Sequence, residues 1–277
     1  MKILVIHGSM RKGNTYALTN EIVSRLSTKQ DVEVCEIGVA DLNLPFCTSC
    51  HICLMKGEGY CPHRAIMEKI QTILAECDGV IFSGVTYMRG LNAAVKNVID
   101  HLSYLFHRPA LFGKKGIVVV TSTGAGENGV AKYLKTVLGY WGVNGALIVT
   151  KKMRNHNTKQ GENLHLSAKE KAKLNKVSER FYNWIKSKRQ ISPSSKSIAI
   201  HNTFRAMSLS KYAESECDTA YWQREGFCNK VYPVKAGLFK YLIGAFVHSS
   251  VKGLVKIVGW AYTRKISKNQ IKSNDER

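Results

Sequence analysis

A short apolar run covers residues 2–6, centred on Ile3-Leu4-Val5-Ile6, and stops at a glycine turn. Continuous apolar residues between turn signals mark a strand buried on both faces. Residues 15–27 change period, with Ala17, Leu18, Ile22, Val23 and Leu26 on one side of a helix. Residues 32–37 alternate as a second strand, which contains Cys35. A long, irregular, cysteine-rich stretch follows at 42–62, and helical spacing resumes over 66–75 through Ile66, Ile70, Ile73 and Leu74. Residues 79–83 read as another buried strand, followed by a loop through Gly90 and a helix over about 91–106. A strand at 116–122, a glycine-rich exit loop at 123–129, a helix at 130–141 and a last strand at 146–150 continue the alternation. This order predicts an α/β fold: a doubly wound, five-stranded parallel sheet with helices on both faces. In such sheets ligands bind outside the carboxyl ends of the strands.

The pattern changes from residue 151. Residues 155–161 read as polar loop, and 167–188 as a long basic helix with Leu174, Val177, Phe181 and Trp184 on one stripe. Residues 191–197 read as a linker, and 204–213 and 236–262 as two further helices. The chain thus divides into an α/β domain at 1–150 and a basic, mostly helical C-terminal extension at 151–277.

Charge sharpens that division. Of the net +21, residues 1–150 carry 15 Lys/Arg against 11 Asp/Glu, and residues 151–277 carry 26 against 9. The excess in the second part, 26 − 9 = +17, points to an anionic partner, a membrane surface or a polyanion. No stretch reaches the roughly 18 uninterrupted apolar residues of a spanning helix. The N-terminal apolar run is too short for a signal peptide, so the expected location is cytoplasmic, with peripheral contact at a membrane.

The chemistry concentrates at residues 8–15, Gly-Ser-Met-Arg-Lys-Gly-Asn-Thr, between the first strand and the first helix. Small residues let backbone N–H groups approach an anion, and the helix N-terminus adds its dipole. Ser9, Asn14 and Thr15 supply donors and Arg11 a cation. The loop lacks the closing Gly-Lys-Ser/Thr of a Walker loop and the spacing of a dinucleotide fingerprint.

This segment resembles the Gly-Ser-x-Arg-x-Gly-Asn-Thr loop of flavodoxin-like NAD(P)H-dependent oxidoreductases, the group of NADPH-dependent FMN reductases and iron–sulfur flavoproteins. The resemblance continues at residues 79–87, 91–100 and 121–126. It implies a flavodoxin-like fold, FMN as cofactor and NAD(P)H as reductant. The FMN phosphate would fall on Ser9, Arg11, Gly13, Asn14 and Thr15, and the flavin ring beside Thr86, Tyr87, Met88, Thr123, Gly124 and Gly126. The family's Ser-Pro-Val-Tyr reads Gly84-Val85-Thr86-Tyr87 here, so the loop is expected to take a different shape. The flavin carries the redox chemistry, and no acid–base dyad stands out. The electron acceptor would be a quinone, a flavin or another small molecule. The resemblance also implies a homodimer.

Cys47-x2-Cys50-x2-Cys53-x7-Cys61 groups four thiols. Such a set can hold a [4Fe–4S] cluster or zinc, or stand as a free-thiol loop beside the flavin. Its spacing is similar to the cluster motif of iron–sulfur flavoproteins, which leaves an electron carrier as the alternative function. Cys35 and Cys77 are expected in the core.

In the last helix Leu238, Phe239, Leu242, Ile243, Phe246, Val247, Val251, Leu254, Val255 and Val258 repeat at helical spacing, with Lys240, His248, Lys252 and Lys256 expected opposite. That helix suits docking on the domain or a second subunit, or an anionic membrane interface, where an interaction module on a vestigial flavodoxin fold is a third function. No nucleic-acid motif accompanies the lysines and aromatics. Asp218-x-x-Tyr221-Trp222-x-x-x-Gly226-Phe227 resembles a tail of longer members of the same family.

Overall fold

The computed structural model describes residues 1–153, 164–224 and 227–275, with side chains of the last helix described through residue 259. The polar loop expected at 155–161, Gly226, and the side chains of Trp260 and Tyr262 lie outside the described residues.

Five parallel strands form the sheet: β1 (Lys2–His7), β2 (Glu33–Gly38), β3 (Gly79–Tyr87), β5 (Lys115–Ser122) and β6 (Ala146–Lys152), in the order β2-β1-β3-β5-β6. A two-residue strand, β4 (Gly90–Leu91), pairs antiparallel with the end of β3. This is the flavodoxin-like doubly wound order, with the switch point between β1 and β3.

Alternation along each buried strand divides the apolar residues between two layers. Leu4, Ile6, Val80, Phe82, Val118 and Val120 face α3 (Arg64–Glu76), α4 (Ala93–His101) and α6 (Glu127–Tyr140). Ile3, Val5, Ile81, Ile117 and Val119 face α1 (Asn14–Ser27) and α7 (Ala168–Lys186). Phe181, Tyr182 and Ile185 of α7 are buried in that second layer. A Cβ at Gly79 would lie 2.6 Å from Phe181 Cζ, so the glycine makes room for the helix. α7 begins with a capping box in which Ser167 and Glu170 satisfy each other's backbone N–H groups.

Three expected elements differ in the structure. The helix expected over 91–106 is two, α4 and α5 (Tyr104–His107), divided by a turn at Leu102-Ser103; ahead of it a tight turn at Met88-Arg89 folds Gly90–Leu91 back on β3 as β4. The expected linker at 191–197 enters α8 (Ser195–Ser208), whose first turn is capped by Ser194 Oγ accepting from Ser197 N–H at 3.0 Å. Helix 204–213 therefore ends early, and α9 (Glu216–Gln223) follows. Cys77 is buried as expected, but Cys35 is half-buried on the edge strand β2.

The last helix, α10 (Leu238–Asp275), packs on α8 through its small-residue edge. A Cβ at Gly244 would lie 2.4 Å from Val231 Cγ1 and 2.8 Å from Asn202 Nδ2, and one at Gly259 would meet the Tyr212 ring at 2.5 Å. The apolar stripe is therefore split. Val247, Val251 and Val255 are half-buried, whereas Phe239, Leu242, Phe246, Leu254 and Ile257 are 59–74% exposed. Lys240 and His248 do not face solvent as expected: Lys240 Nζ donates to Ser192 Oγ at 3.0 Å and Pro193 O at 2.8 Å, and His248 is half-buried. Although lysines interrupt the apolar run, Leu238–Gly259 is long and apolar enough to cross a membrane by length and composition, with mean hydropathy 1.3.

Candidate functional site

β1 delivers the chain to the turn at residues 8–13. A Cβ at Gly8 would lie 2.1 Å from Ser83 O and 2.5 Å from Val95 Cγ2, so only glycine fits against β3. Gly8 N–H donates to Ser83 Oγ at 2.9 Å, and its carbonyl accepts from Asn92 Nδ2 at 2.9 Å. Asn92 Oδ1 accepts in turn from Val85 N–H at 3.2 Å. Ser83 and Asn92, both buried, thereby join the exits of β1 and β3. Neither stood out in sequence; the available signal was a hydroxyl at the end of the apolar run Val80-Ile81-Phe82.

Inside the turn, Ser9 Oγ donates to Arg11 O at 2.6 Å and Gly13 N–H to the same carbonyl at 2.8 Å. Gly13 stands at the N-cap of α1, with no side-chain cap and no acidic residue in the first turn. Such a helix start presents N–H groups and the positive end of the dipole. Thr15, fully within the protein, pairs its hydroxyl with Thr121 Oγ1 at 2.7 Å, tying α1 to β5.

The second loop is a two-residue hairpin between Tyr87 and Gly90. Met88 and Arg89 have φ of 47° and 61°, the left-handed conformation that a two-residue hairpin of type I′ demands and that Asn-Gly normally supplies. Tyr87 and Met88 are exposed, whereas Thr86 Oγ1 is buried without a hydrogen-bond partner among the described residues. The third loop leaves β5. Its Gly126 has φ +103°, and a Cβ there would lie 2.8 Å from Arg89 Cα and 3.0 Å from Thr86 Cγ2, so the second and third loops touch. Thr123 and Gly124 are exposed. Behind them Ser122 Oγ donates to Glu127 Oε2 at 2.5 Å, which holds the Glu127 carboxyl below its ordinary pKa. The fold thus gathers Ser9, Arg11, Gly13, Asn14, Thr15, Thr86, Tyr87, Met88, Thr123, Gly124 and Gly126 into adjoining loops at one end of the sheet.

On the β2 side of the first turn lies a cleft of about 670 Å3, lined by His7, Arg11, Lys12, Tyr16, Glu36 and Asp41 among others. His7 Nε2 lies 2.5 Å from Glu36 Oε2, and the His7 and Tyr16 rings are 4.5 Å apart. The members of this wall come from separate elements, so no contiguous motif marks it in the sequence.

A second cleft, of about 440 Å3, is lined by Cys47, Cys50, Cys53 and Cys61 together with His63, Asp100 and His101. Asn97 of α4 anchors the cysteine loop: its Oδ1 accepts from Cys47 N–H at 3.0 Å, and its Nδ2 donates to Leu44 O and Pro45 O at 3.1 and 3.0 Å. Ser49 and His51 hold positive φ of 55° and 60°, so the loop is bent into an unfavourable backbone conformation. Arg108 fixes the other wall, donating to Cys53 O at 2.7 Å and Glu58 Oε2 at 3.0 Å and pairing with Asp218 of α9. Asp218 also accepts from or pairs with His107 Nδ1 at 2.8 Å. Burial pushes the Cys53 thiol pKa up. Cys217 comes close as well, since a Cβ at Gly57 would lie 3.5 Å from its Sγ. His63 and His101, which no spacing pattern joins in sequence, place ring nitrogens within 4.8 Å of Cys61 Sγ and of each other.

Several known proteins are similar to this chain. An iron–sulfur flavoprotein of Archaeoglobus fulgidus is 34% identical over 145 residues, 52% of this chain and 64% of that protein, so the chain spans less than two thirds of that relative. An iron–sulfur flavoprotein of Clostridioides difficile is 25% identical over 239 residues, 82% of this chain and 99% of that protein. Among solved structures, an apo NADH:FMN oxidoreductase (EMOB) aligns with TM-score 0.47 and 20% identity over 65% of this chain and 87% of that chain. Residues 1–156, which carry the strand-end loops and the cysteine cleft, match the NADPH-dependent FMN reductase family, and the chain belongs to that family.

Proposed function

We propose that the protein is an FMN-dependent NAD(P)H oxidoreductase that passes electrons to a quinone, a flavin or another small acceptor. The observation that carries this reading is the uncapped start of α1 beside two touching loops, one of which buries the unpartnered Thr86 Oγ1. An orphaned buried hydroxyl costs about 1–3 kcal/mol, so a polar ligand atom is its natural complement. The residues fit FMN. The N–H groups at the start of α1, with Ser9, Arg11, Gly13, Asn14 and Thr15, would bind the phosphate. Thr86 and the backbone of residues 123–126 would orient the ring, and Tyr87 and Met88 would cover it from water. Bound FMN supplies hydride acceptance from the nicotinamide and onward electron transfer.

The test is flavin binding by the whole chain. The protein is expected to copurify with FMN or to quench added FMN at one equivalent, and Gly8→Ala is expected to abolish this because its methyl overlaps Ser83 O. Failure of the parent protein to bind FMN after stripping and reloading refutes the reading.

The four cysteines lining one cleft favour a second, alternative reading, an electron carrier with a [4Fe–4S] cluster on Cys47, Cys50, Cys53 and Cys61. Thiolates are the usual donors for such a cluster, which would supply single-electron transfer. Iron and sulfide analysis after anaerobic reconstitution tests it, and no iron retained refutes it.

The extension supports contact with an anionic membrane surface through α10. Its exposed face, Phe239, Leu242, Phe246 and Ile257, lies opposite the edge docked on α8, and Lys252 and Lys256 are exposed nearby. With one edge packed on α8, the helix would lie in the bilayer interface with its exposed apolar face toward the lipid. Flotation with phosphatidylserine vesicles is expected, and Phe239→Asp with Phe246→Asp is expected to abolish it. Unchanged flotation, or an apolar face covered by a second copy in a sedimenting homodimer, refutes this part.

A further inference from the structure

The cysteine cleft contains a donor set distinct from four thiols. Cys61 Sγ and one ring nitrogen each of His63 and His101 all lie within 4.8 Å of one another. His63 stands just ahead of α3 and His101 closes α4, so two helices that pack on the sheet present the donors, with the loop supplying the thiol.

The hydrogen bonds define which atoms are available. His101 is 5% exposed, and its Nδ1 lies 2.9 Å from Asn97 O. A carbonyl only accepts, so Nδ1 carries the proton and Nε2 presents a lone pair. That lone pair faces His63 Nδ1 at 2.8 Å. A buried imidazole oriented by a backbone carbonyl is the outer-shell arrangement that fixes metal-binding histidines. Asn97 therefore has two duties: its carbonyl sets the His101 tautomer, and its side chain anchors the loop that carries Cys47.

We infer that Cys61, His63 and His101 form a mononuclear site for a borderline divalent cation of the zinc class, with its fourth position open to the cleft. One thiolate and two imidazoles are donors that zinc accepts in tetrahedral sites. With metal–ligand bonds of about 2.0–2.3 Å, tetrahedral neighbours stand about 3.4 Å apart, so the histidine pair opens by about 0.6 Å as the cation enters. The cation replaces the proton between the rings. That proton moves to Nε2 of His63, and the Cys61 thiol releases its own on coordination, so each cation bound frees one proton.

The site has a consequence for the cysteine loop. Cys61 cannot serve this cation and a four-cysteine cluster at once, so occupation of one excludes the other. The inference does not rest on flavin binding.

Cobalt(II) replaces zinc and reports its own coordination in the visible spectrum. The whole chain, reduced and stripped with chelator, is titrated with cobalt under anaerobic conditions. One equivalent is expected to bind with tetrahedral ligand-field bands and thiolate-to-cobalt charge transfer. His63→Gln and Cys61→Ser are each expected to weaken binding more than about 100-fold, beyond the loss of an outer-shell partner. Cys47→Ser and Cys50→Ser are expected to leave the titration unchanged. His101→Gln probes the third ligand. Because that position is buried, the half-buried His63 is the decisive variant, with circular dichroism confirming that it folds. Failure of the parent chain to bind cobalt overturns the inference. Binding that persists in His63→Gln but is lost in Cys47→Ser also overturns it, since the thiols alone would then hold the cation.

Discussion

Arg108→Ala is expected to loosen the cysteine cleft at a large cost in stability. Arg108 is 6% exposed, Asp218 is 5% exposed, and the two are paired inside the protein. The same guanidinium donates to Cys53 O at 2.7 Å and Glu58 Oε2 at 3.0 Å, and its carbon lies 5.5 Å from the centre of the Tyr104 ring. Truncation leaves the Asp218 carboxylate buried with His107 Nδ1 at 2.8 Å as its remaining side-chain partner among the described residues. Breaking one side of a buried pair costs about 3–5 kcal/mol, because the other charge stays desolvated. The lost bond to Cys53 O adds about 1 kcal/mol. A total of about 4–6 kcal/mol is a large part of the stability of an ordinary domain. Arg108→Met with Asp218→Leu removes both charges, and is expected to recover at least about 2 kcal/mol relative to Arg108→Ala. Urea unfolding followed by circular dichroism measures all these forms, and the alkylation rate of Cys53 reports loosening of the loop. A cost below about 1 kcal/mol for Arg108→Ala, as for an exposed pair, would refute the reasoning. So would a double variant no more stable than the single one.

Other outcomes follow from single features. Met88→Asn with Arg89→Gly relieves two left-handed residues at about 1 kcal/mol each and should raise the thermal midpoint. If the strained hairpin shapes the flavin-edge loop, FMN titration will show weaker binding by the same variant. Asn97→Ala removes hydrogen bonds to Cys47, Leu44 and Pro45, and should speed alkylation of Cys47 and Cys50 at a cost of about 2–3 kcal/mol in stability. His201 is buried against Arg205, and burial foremost pushes its pKa from 6.5 down to about 3. Its folded pKa lies below the unfolded one, so between pH 6.5 and about 3 the unfolded chain binds the extra proton. Stability is expected to fall as pH drops through that window, and His201→Phe should flatten the acid limb in thermal melts.

The chain's local pattern was enough for the sheet. The apolar runs around Ile3-Leu4-Val5-Ile6 and Val80-Ile81-Phe82 are continuous because both faces of a parallel strand are covered, and that requirement is written in one dimension. The turn from Gly8 to Gly13 was legible for a similar reason: a strand, a glycine-flanked turn and a helix start are contiguous. Local pattern failed where distant residues made the decision. The helix expected at 91–106 starts late because Leu91 pairs with β3 in β4, and a turn at Leu102-Ser103 divides it, while the expected linker at 191–197 became helical where Ser194 capped α8.

Sequence by itself determined which chemistry was available: a helix start suited to phosphate, four closely spaced thiols, and a basic extension. Only the tertiary structure decided how these groups meet. His63 and His101 are 38 residues apart, and their nitrogens come within 2.8 Å because α3 and α4 pack on the same sheet. Arg108 and Asp218 are separated by 110 residues and become a buried pair when α9 closes over the cysteine loop. The division of α10 into a docked glycine and valine edge and an exposed aromatic face was likewise settled by its neighbour. Spacing shows that a helix has an apolar side, but only α8, Tyr212 and Val231 determine which part of that side is covered.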